Sequence, residues 1–214
     1  MKLGKSLVSL VLGCSAAFGS GNFGYADEPR LEQKAEGISE KADKLWVEGK
    51  IDDAITLYLS LKTCNEIMGD KVEYVKYDSE QKKNNFDELV YQTNVDKEKR
   101  KPVLVLFHHN NSDQFKNNTH SMHSAIIMRR WNKDYADKIK LVAYETDVDP
   151  VLAAQNYQGL NQAYKIEAIP AFQMYAQDKL INSLNKGPEN SETLKQWLPR
   201  FSEKWISPVL QKQN

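Results

Sequence analysis

The chain has 214 residues, of which 41% are hydrophobic and 27% charged, a balance that excludes a disordered or fibrous protein and fits a globular one. Its 29 basic residues match 29 acidic ones, so bulk charge offers no attraction for nucleic acid. The length suffices for one ordinary domain and a small extra element.

The N-terminus reads as an export signal. Lys2 and Lys5 precede an apolar stretch from Leu7 to Phe18, and small residues follow. That stretch is too short to span a bilayer as a stable helix, and nothing later is apolar enough. Two processing routes fit. Gly24-Tyr25-Ala26 puts small residues before Asp27, which predicts a signal over residues 1–26 and a free exported chain. Val11-Leu12-Gly13-Cys14 resembles a bacterial lipobox, which would make Cys14 the lipidated first residue. The expected location is the periplasm or, with a lipid anchor, the cell envelope. The only other cysteine is Cys64, so a chain cleaved after Ala26 has no internal disulfide.

A helical pair is expected next, over residues 27–70. Leu31, Ala35, Ile38, Ala42 and Leu45 recur at helical spacing. Gly49 breaks the pattern, and Asp52 and Asp53 open a second helix. Ala54, Leu57, Tyr58, Leu61 and Cys64 form its apolar stripe, which makes Cys64 a packed core thiol. Ala42, Leu45, Trp46, Gly49, Ile51, Ala54, Ile55 and Tyr58 together resemble one tetratricopeptide repeat. A single repeat cannot bury its own apolar face, so the pair must pack on the domain that follows.

That domain is expected over residues 71–214. A strand is predicted from Val72 to Tyr77 and a helix around Phe86, Leu89 and Val90. The basic run Lys97–Lys101 lacks interleaved aromatics and reads as a solvated turn. Val103–Phe107 is a continuous apolar run, the mark of a strand buried on both faces. Helices are predicted from Ser121 to Tyr135 and Leu152 to Tyr164, with a strand from Lys140 to Thr146 between them. Ala171–Tyr175 and Leu180–Leu184 form a hairpin around Gln177-Asp178. A last helix carries Leu194, Trp197, Leu198, Phe201 and Trp205, with Ser191 near its start. This alternation predicts an α/β layered fold, a mixed sheet flanked by helices.

Several segments give the domain a resemblance to thioredoxin. They are the buried strand ending in Phe107, Leu141–Asp147 with its closing aspartate, Tyr164–Phe172 around Pro170, and Gly187 followed by Glu192–Leu198. The resemblance covers about two-thirds of the chain. It implies a thioredoxin-like fold, a cis peptide bond before Pro170, and a groove there that pairs with an extended partner segment. It also implies a redox dithiol, which is missing. Counting forward from Phe107 puts Ser112 and Phe115 at the two cysteine positions, and counting back from Asp147 puts Asn118 and Ser121 there. The buried carboxylate of the family is replaced by Leu106. Thiol–disulfide exchange needs a thiolate and a resolving thiol, so oxidoreductase activity is not expected.

All four histidines fall near this loop. His108 and His109 end the buried strand, with side chains on opposite faces. His120 and His123 lie three apart on the following helix. Imidazole suits copper or zinc, so these residues, with Met122 and Asp113 nearby, form a candidate metal site. The asparagines around them also fit an ordinary polar turn. Ser112 next to Asp113 forms no nucleophile elbow, so a hydrolase is not indicated. The leading expectation is a non-redox binding or chaperone-like module whose groove is lined by Ile169, Pro170, Ser112 and Phe115. Its partner would be a protein or extended peptide. The alternatives are a Cu or Zn protein using His108, His109, His120 and His123, or a vestigial thiol accessory acting through Cys64.

Overall fold

The computed structural model describes residues 28–78, 80–81, 83–110, 119–146 and 159–211. Helix α1 (Glu28–Val47) and helix α2 (Ile51–Leu59) pack as a pair joined by Gly49, whose φ of +79° suits a residue without Cβ. Asp52 and Asp53 sit in the first turn of α2, at the positive end of its dipole. The sequence reading carries the apolar stripe of α2 on to Cys64. The structure ends α2 at Leu59 and starts a separate helix, α3 (Cys64–Met68). The cause is a reciprocal cap. Thr63 Oγ1 accepts from the Glu66 amide and Glu66 Oε2 accepts from the Thr63 amide, each at 3.1 Å.

A five-stranded sheet follows, built from β1 (Glu73–Tyr74), β4 (Val103–His108), β5 (Lys140–Glu145), β6 (Ala171–Ala176) and β7 (Lys179–Leu184). The strand order is β1-β5-β4-β6-β7. β1, β5 and β4 run parallel, while β6 and β7 pair antiparallel. The single strand expected from Val72 to Tyr77 is divided. Glu73 and Tyr74 pair with β5, whereas β2 (Tyr77–Asp78) turns away to pair with β3 (Lys83–Asn84). The expected hairpin at Gln177-Asp178 is a two-residue turn with both φ values positive, 51° and 62°, as the twist of the flanking strands requires. Register slips between Met174 and Tyr175, leaving Ile181 unpaired on the edge strand β7. Such a bulge blunts an exposed edge.

Alternation along β4 divides the interior into two layers. Val103, Val105 and Phe107 face α4 (Phe86–Tyr91) and α6, helical over residues 159–164. Phe107, Tyr144, Tyr164 and Phe86 form an aromatic cluster there, with centroids 4.6 to 5.9 Å apart. Leu104 and Leu106 face α5 (Thr119–Tyr135), α7 (Ser191–Phe201) and the α1–α3 unit. Asn190, not Ser191, caps α7, its Oδ1 accepting from the Thr193 amide at 2.9 Å. A π-helical segment Ser202–Ile206 leads into α8 (Ser207–Gln211).

Helix α5 lacks the exposed stripe of an ordinary surface helix. Every residue from Ser121 to Asn132 is buried. The sheet and α7 cover part of it, and α2 and α3 cover its outer side. Two arginines on it are therefore buried and need partners. Arg129 meets Asp43 at 2.8 Å and Glu36 at 3.1 Å, and Arg130 meets Asp43 at 3.3 Å. Lys133 and the Tyr58 hydroxyl complete the set around Asp43. Arg130 also lies 5.3 Å from the Trp46 ring centroid. The helical pair packs on the following domain, as its exposed apolar face demanded.

Candidate functional site

The site lies where β4 ends, β6 begins and α5 is first described. The last rung of the β4–β6 ladder pairs Phe107 with Ala171, and the last rung of β6–β7 pairs Phe172 with Leu184. The chain before Ala171 thus runs past both ladders. The Glu167 amide donates to Asn185 Oδ1 at 3.3 Å. Among the described residues, the backbone groups of Ala168 and Ile169 enter no hydrogen bond. The Ile169–Pro170 bond is cis, as the resemblance implied. Ile169 and Ala168 are half-buried and Pro170 is buried.

Gly187 packs directly against Pro170 and α5. A Cβ there would stand 2.4 Å from Ser124 Oγ, 2.5 Å from Pro170 Cγ and 3.0 Å from the His120 carbonyl oxygen. The turn after β7, the proline and the first turns of α5 are therefore in direct contact. Ser124 Oγ is itself tied to the His120 carbonyl, to which it donates at 2.8 Å. Lys186, next to Gly187, is exposed, with Nζ 5.7 Å from the centroid of half-buried Trp197 on α7. The sequence reading did not place Ser124 beside Pro170. Only the adjacency of Gly187 to Pro170 in space does so, although the Gly187-Pro188 pair already signalled a close-packed turn.

His108 ends β4, His109 follows it, and His120 and His123 lie on α5. His108 is fully buried, on the strand face shared by Leu104 and Leu106. His109 lies just past β4 and is half-buried, its Nδ1 3.2 Å from Thr146 Oγ1. His120 is half-buried, and His123 is buried at 2% exposure. Burial holds the His123 imidazole below the ordinary histidine range. The Thr119 carbonyl works against that shift and the nearby His120 adds to it. Among the described residues, no three His, Cys, Asp or Glu side chains stand close enough to hold a metal ion. Ser112 and Phe115, assigned to the groove, and Cys14, assigned to the lipid anchor, lie outside the described residues.

Cys64 is buried, as its place in an apolar pattern implied, but it serves the end of β4. Its Sγ donates to the His109 carbonyl at 3.3 Å and lies 3.8 Å from Met122 Sδ. The Cys64 amide donates to the Asn110 carbonyl at 3.2 Å, and the Asn65 amide donates to Asn110 Oδ1 at 3.1 Å. Helix α3 thereby holds the strand exit that opens toward the groove.

Parallel β1, β5 and β4, antiparallel β6 and β7, helices on both faces and a cis proline leading into β6 define a thioredoxin-like α/β fold with added N-terminal helices. No family model and no curated protein matches the chain. Solved structures similar to it include the oxidised thioredoxin of Plasmodium falciparum, at 18% identity over 61% of this chain and 97% of that one, with a TM-score of 0.37. Mitochondrial thioredoxin 3 of Saccharomyces cerevisiae is 12% identical over 60% of this chain and 94% of that one, with a TM-score of 0.34. The fold assignment itself rests on strand order and connection. The two cysteines of the sequence are fifty positions apart, so no dithiol motif accompanies the fold.

Proposed function

We propose that this is a non-redox thioredoxin-fold protein that holds an extended protein or peptide segment in the groove beside Pro170, in a chaperone-like or partner-binding role. The observation that carries this reading is the stretch Ala168–Ile169. Its backbone runs beyond both ladders and is unpaired among the described residues. An open strand end of this kind recognises a partner by strand addition, with main-chain hydrogen bonds supplying affinity. The test is titration of the mature protein with fluorescently labelled extended peptides and with an unfolded client. Saturable binding is expected, and Ile169→Pro, which removes the amide donor at this edge, should weaken it. Unchanged binding in that variant, with the fold intact by circular dichroism, would refute the groove as the site.

No enzymatic turnover is expected from this reading. Insulin disulfide reduction should stay at the uncatalysed rate, with or without Cys64→Ser. Export is part of the same proposal. Among the described residues no helix is long and apolar enough to cross a membrane. Mass spectrometry of the mature N-terminus separates cleavage before Asp27 from lipidation at Cys14.

A further inference from the structure

We propose a second binding site, for a small organic phosphate, at the end of the sheet opposite Pro170. It is independent of the groove. Lys101 lies just before β4 and Lys140 begins β5. They meet Lys71, ahead of β1, and the C-terminal end of α5 around a cavity of about 400 Å³. That size suits a small molecule. Its charged lining is four lysines, Lys71, Lys99, Lys101 and Lys140, against one carboxylate, Glu73. Glu73 pairs with Lys140 at 3.0 Å, and Lys99 pairs with Asp96, which does not line the cavity, at 3.2 Å. Lys71 and Lys101 are exposed and form no ion pair among the described residues. Lys101 Nζ lies 3.5 Å from the Ala136 carbonyl just past α5.

Charge alone would make this a basic surface, and Asn132 on α5 makes it a site. Asn132 is 6% exposed and lines the cavity, and among the described residues its side-chain amide forms no hydrogen bond. A buried amide without a partner is uncommon and costly. Gln92, the other buried amide of the lining, is satisfied. Its Nε2 donates to the Lys101 carbonyl at 2.6 Å and its Oε1 accepts from the Lys101 amide at 3.2 Å, which fixes the backbone that carries Lys101. The polar atoms of Asn132 are not fully enclosed, so Nδ2 is available to donate to an oxyanion in the cavity. The ammonium groups of Lys71 and Lys101 then offset the charge of the phosphate, each acting as a point charge. Ile139 and Leu141 give the same cavity an apolar lining for the organic group.

The experiment is calorimetric titration of the full mature chain with phenyl phosphate and with benzoate, at low and high salt. One-to-one binding of phenyl phosphate is expected, about fivefold tighter than benzoate, which carries less charge, and weaker as salt rises. Asn132→Asp keeps the size of the side chain but puts a carboxylate in the cavity, and should weaken binding about tenfold or more. Lys71→Gln and Lys101→Gln, at exposed positions that leave folding intact, should each weaken it about three- to fivefold. The lysine variants decide the question should Asn132→Asp fail to fold. Absence of saturable phenyl phosphate binding, equal binding of benzoate, or unchanged binding in both lysine variants overturns the inference. The peptide titration at Pro170 is unaffected by any of these outcomes.

Discussion

Gly187 has no room for a side chain. The hydroxyl it faces, that of Ser124, is committed to the His120 carbonyl, and the Pro170 ring it faces is rigid. Gly187→Ala should therefore cost about 1–3 kcal/mol through overpacking, read as a lower urea midpoint. Adding Ser124→Ala should recover part of the loss, since the two sites are in contact and must couple. His123 supplies a pH dependence. Its folded-state pKa is depressed chiefly by burial, so the unfolded chain takes up the proton first as pH falls. Stability should be flat above the ordinary histidine pKa of about 6.5 and decline below it. The decline continues until the folded state also titrates. Urea midpoints from pH 8 to pH 5 should show this fall, with a shallower slope in His123→Leu.

At the scale of elements, the decisive contact is Asp43 on α1 against Arg129, Arg130 and Lys133 on α5. Burial raises the Asp43 pKa, but the hydrogen bonds from Arg129 and Tyr58 and the positive charges of Arg129 and Lys133 outweigh it, and the carboxyl ends below its ordinary range. Its contribution is complete above the ordinary carboxylate range and is lost as pH falls through that range toward the lower folded value. Asp43→Ala leaves buried Arg129 with Glu36 alone and buried Arg130 with Asp134 at 3.9 Å. It should cost about 3–5 kcal/mol by chemical denaturation, with a smaller loss in a variant that also replaces Arg129 by Met. The apolar cluster around α5 explains why this contact lies inside. Ala42, Ala54, Ile55 and Tyr58 share one continuous core with Ile126, Ile127 and Trp131.

For the whole molecule, that continuity means the N-terminal helices are part of the core and not an appendage. A chain beginning at residue 71 would expose the outer side of α5, with its apolar residues and two arginines, to water. It should lose cooperative thermal unfolding and near-ultraviolet circular dichroism while keeping much of its helix signal, the behaviour of a loosely packed state. A sharp cooperative transition in the truncated protein would refute this. The arrangement also bears on function. The helices leave the Pro170 end of α5 at the groove and cover its middle, so the covered face of α5 is not available to a partner.

The α/β class, the two buried layers of β4 and the turn at Gln177-Asp178 were legible in the sequence, because each is set by local periodicity or turn chemistry. The Thr63-x-x-Glu66 cap was equally legible, yet the apolar spacing through Cys64 masked it, since a continued stripe and a restarted helix look alike at one residue. The missing dithiol needed only a count of cysteines. What the sequence could not yield depends on which surfaces meet. Nothing local marks Arg129 and Arg130 for burial, because their partners Asp43 and Glu36 lie more than eighty positions away. The four histidines read as one cluster because they are close in the chain. In the fold His108 and His123 are buried, while His109 and His120 are half-buried. Gly187, Ser124 and Pro170 meet only when the last turn of the sheet is laid against α5. Local pattern determined the elements. Burial and charge pairing between distant segments, which only the tertiary structure decides, made the site.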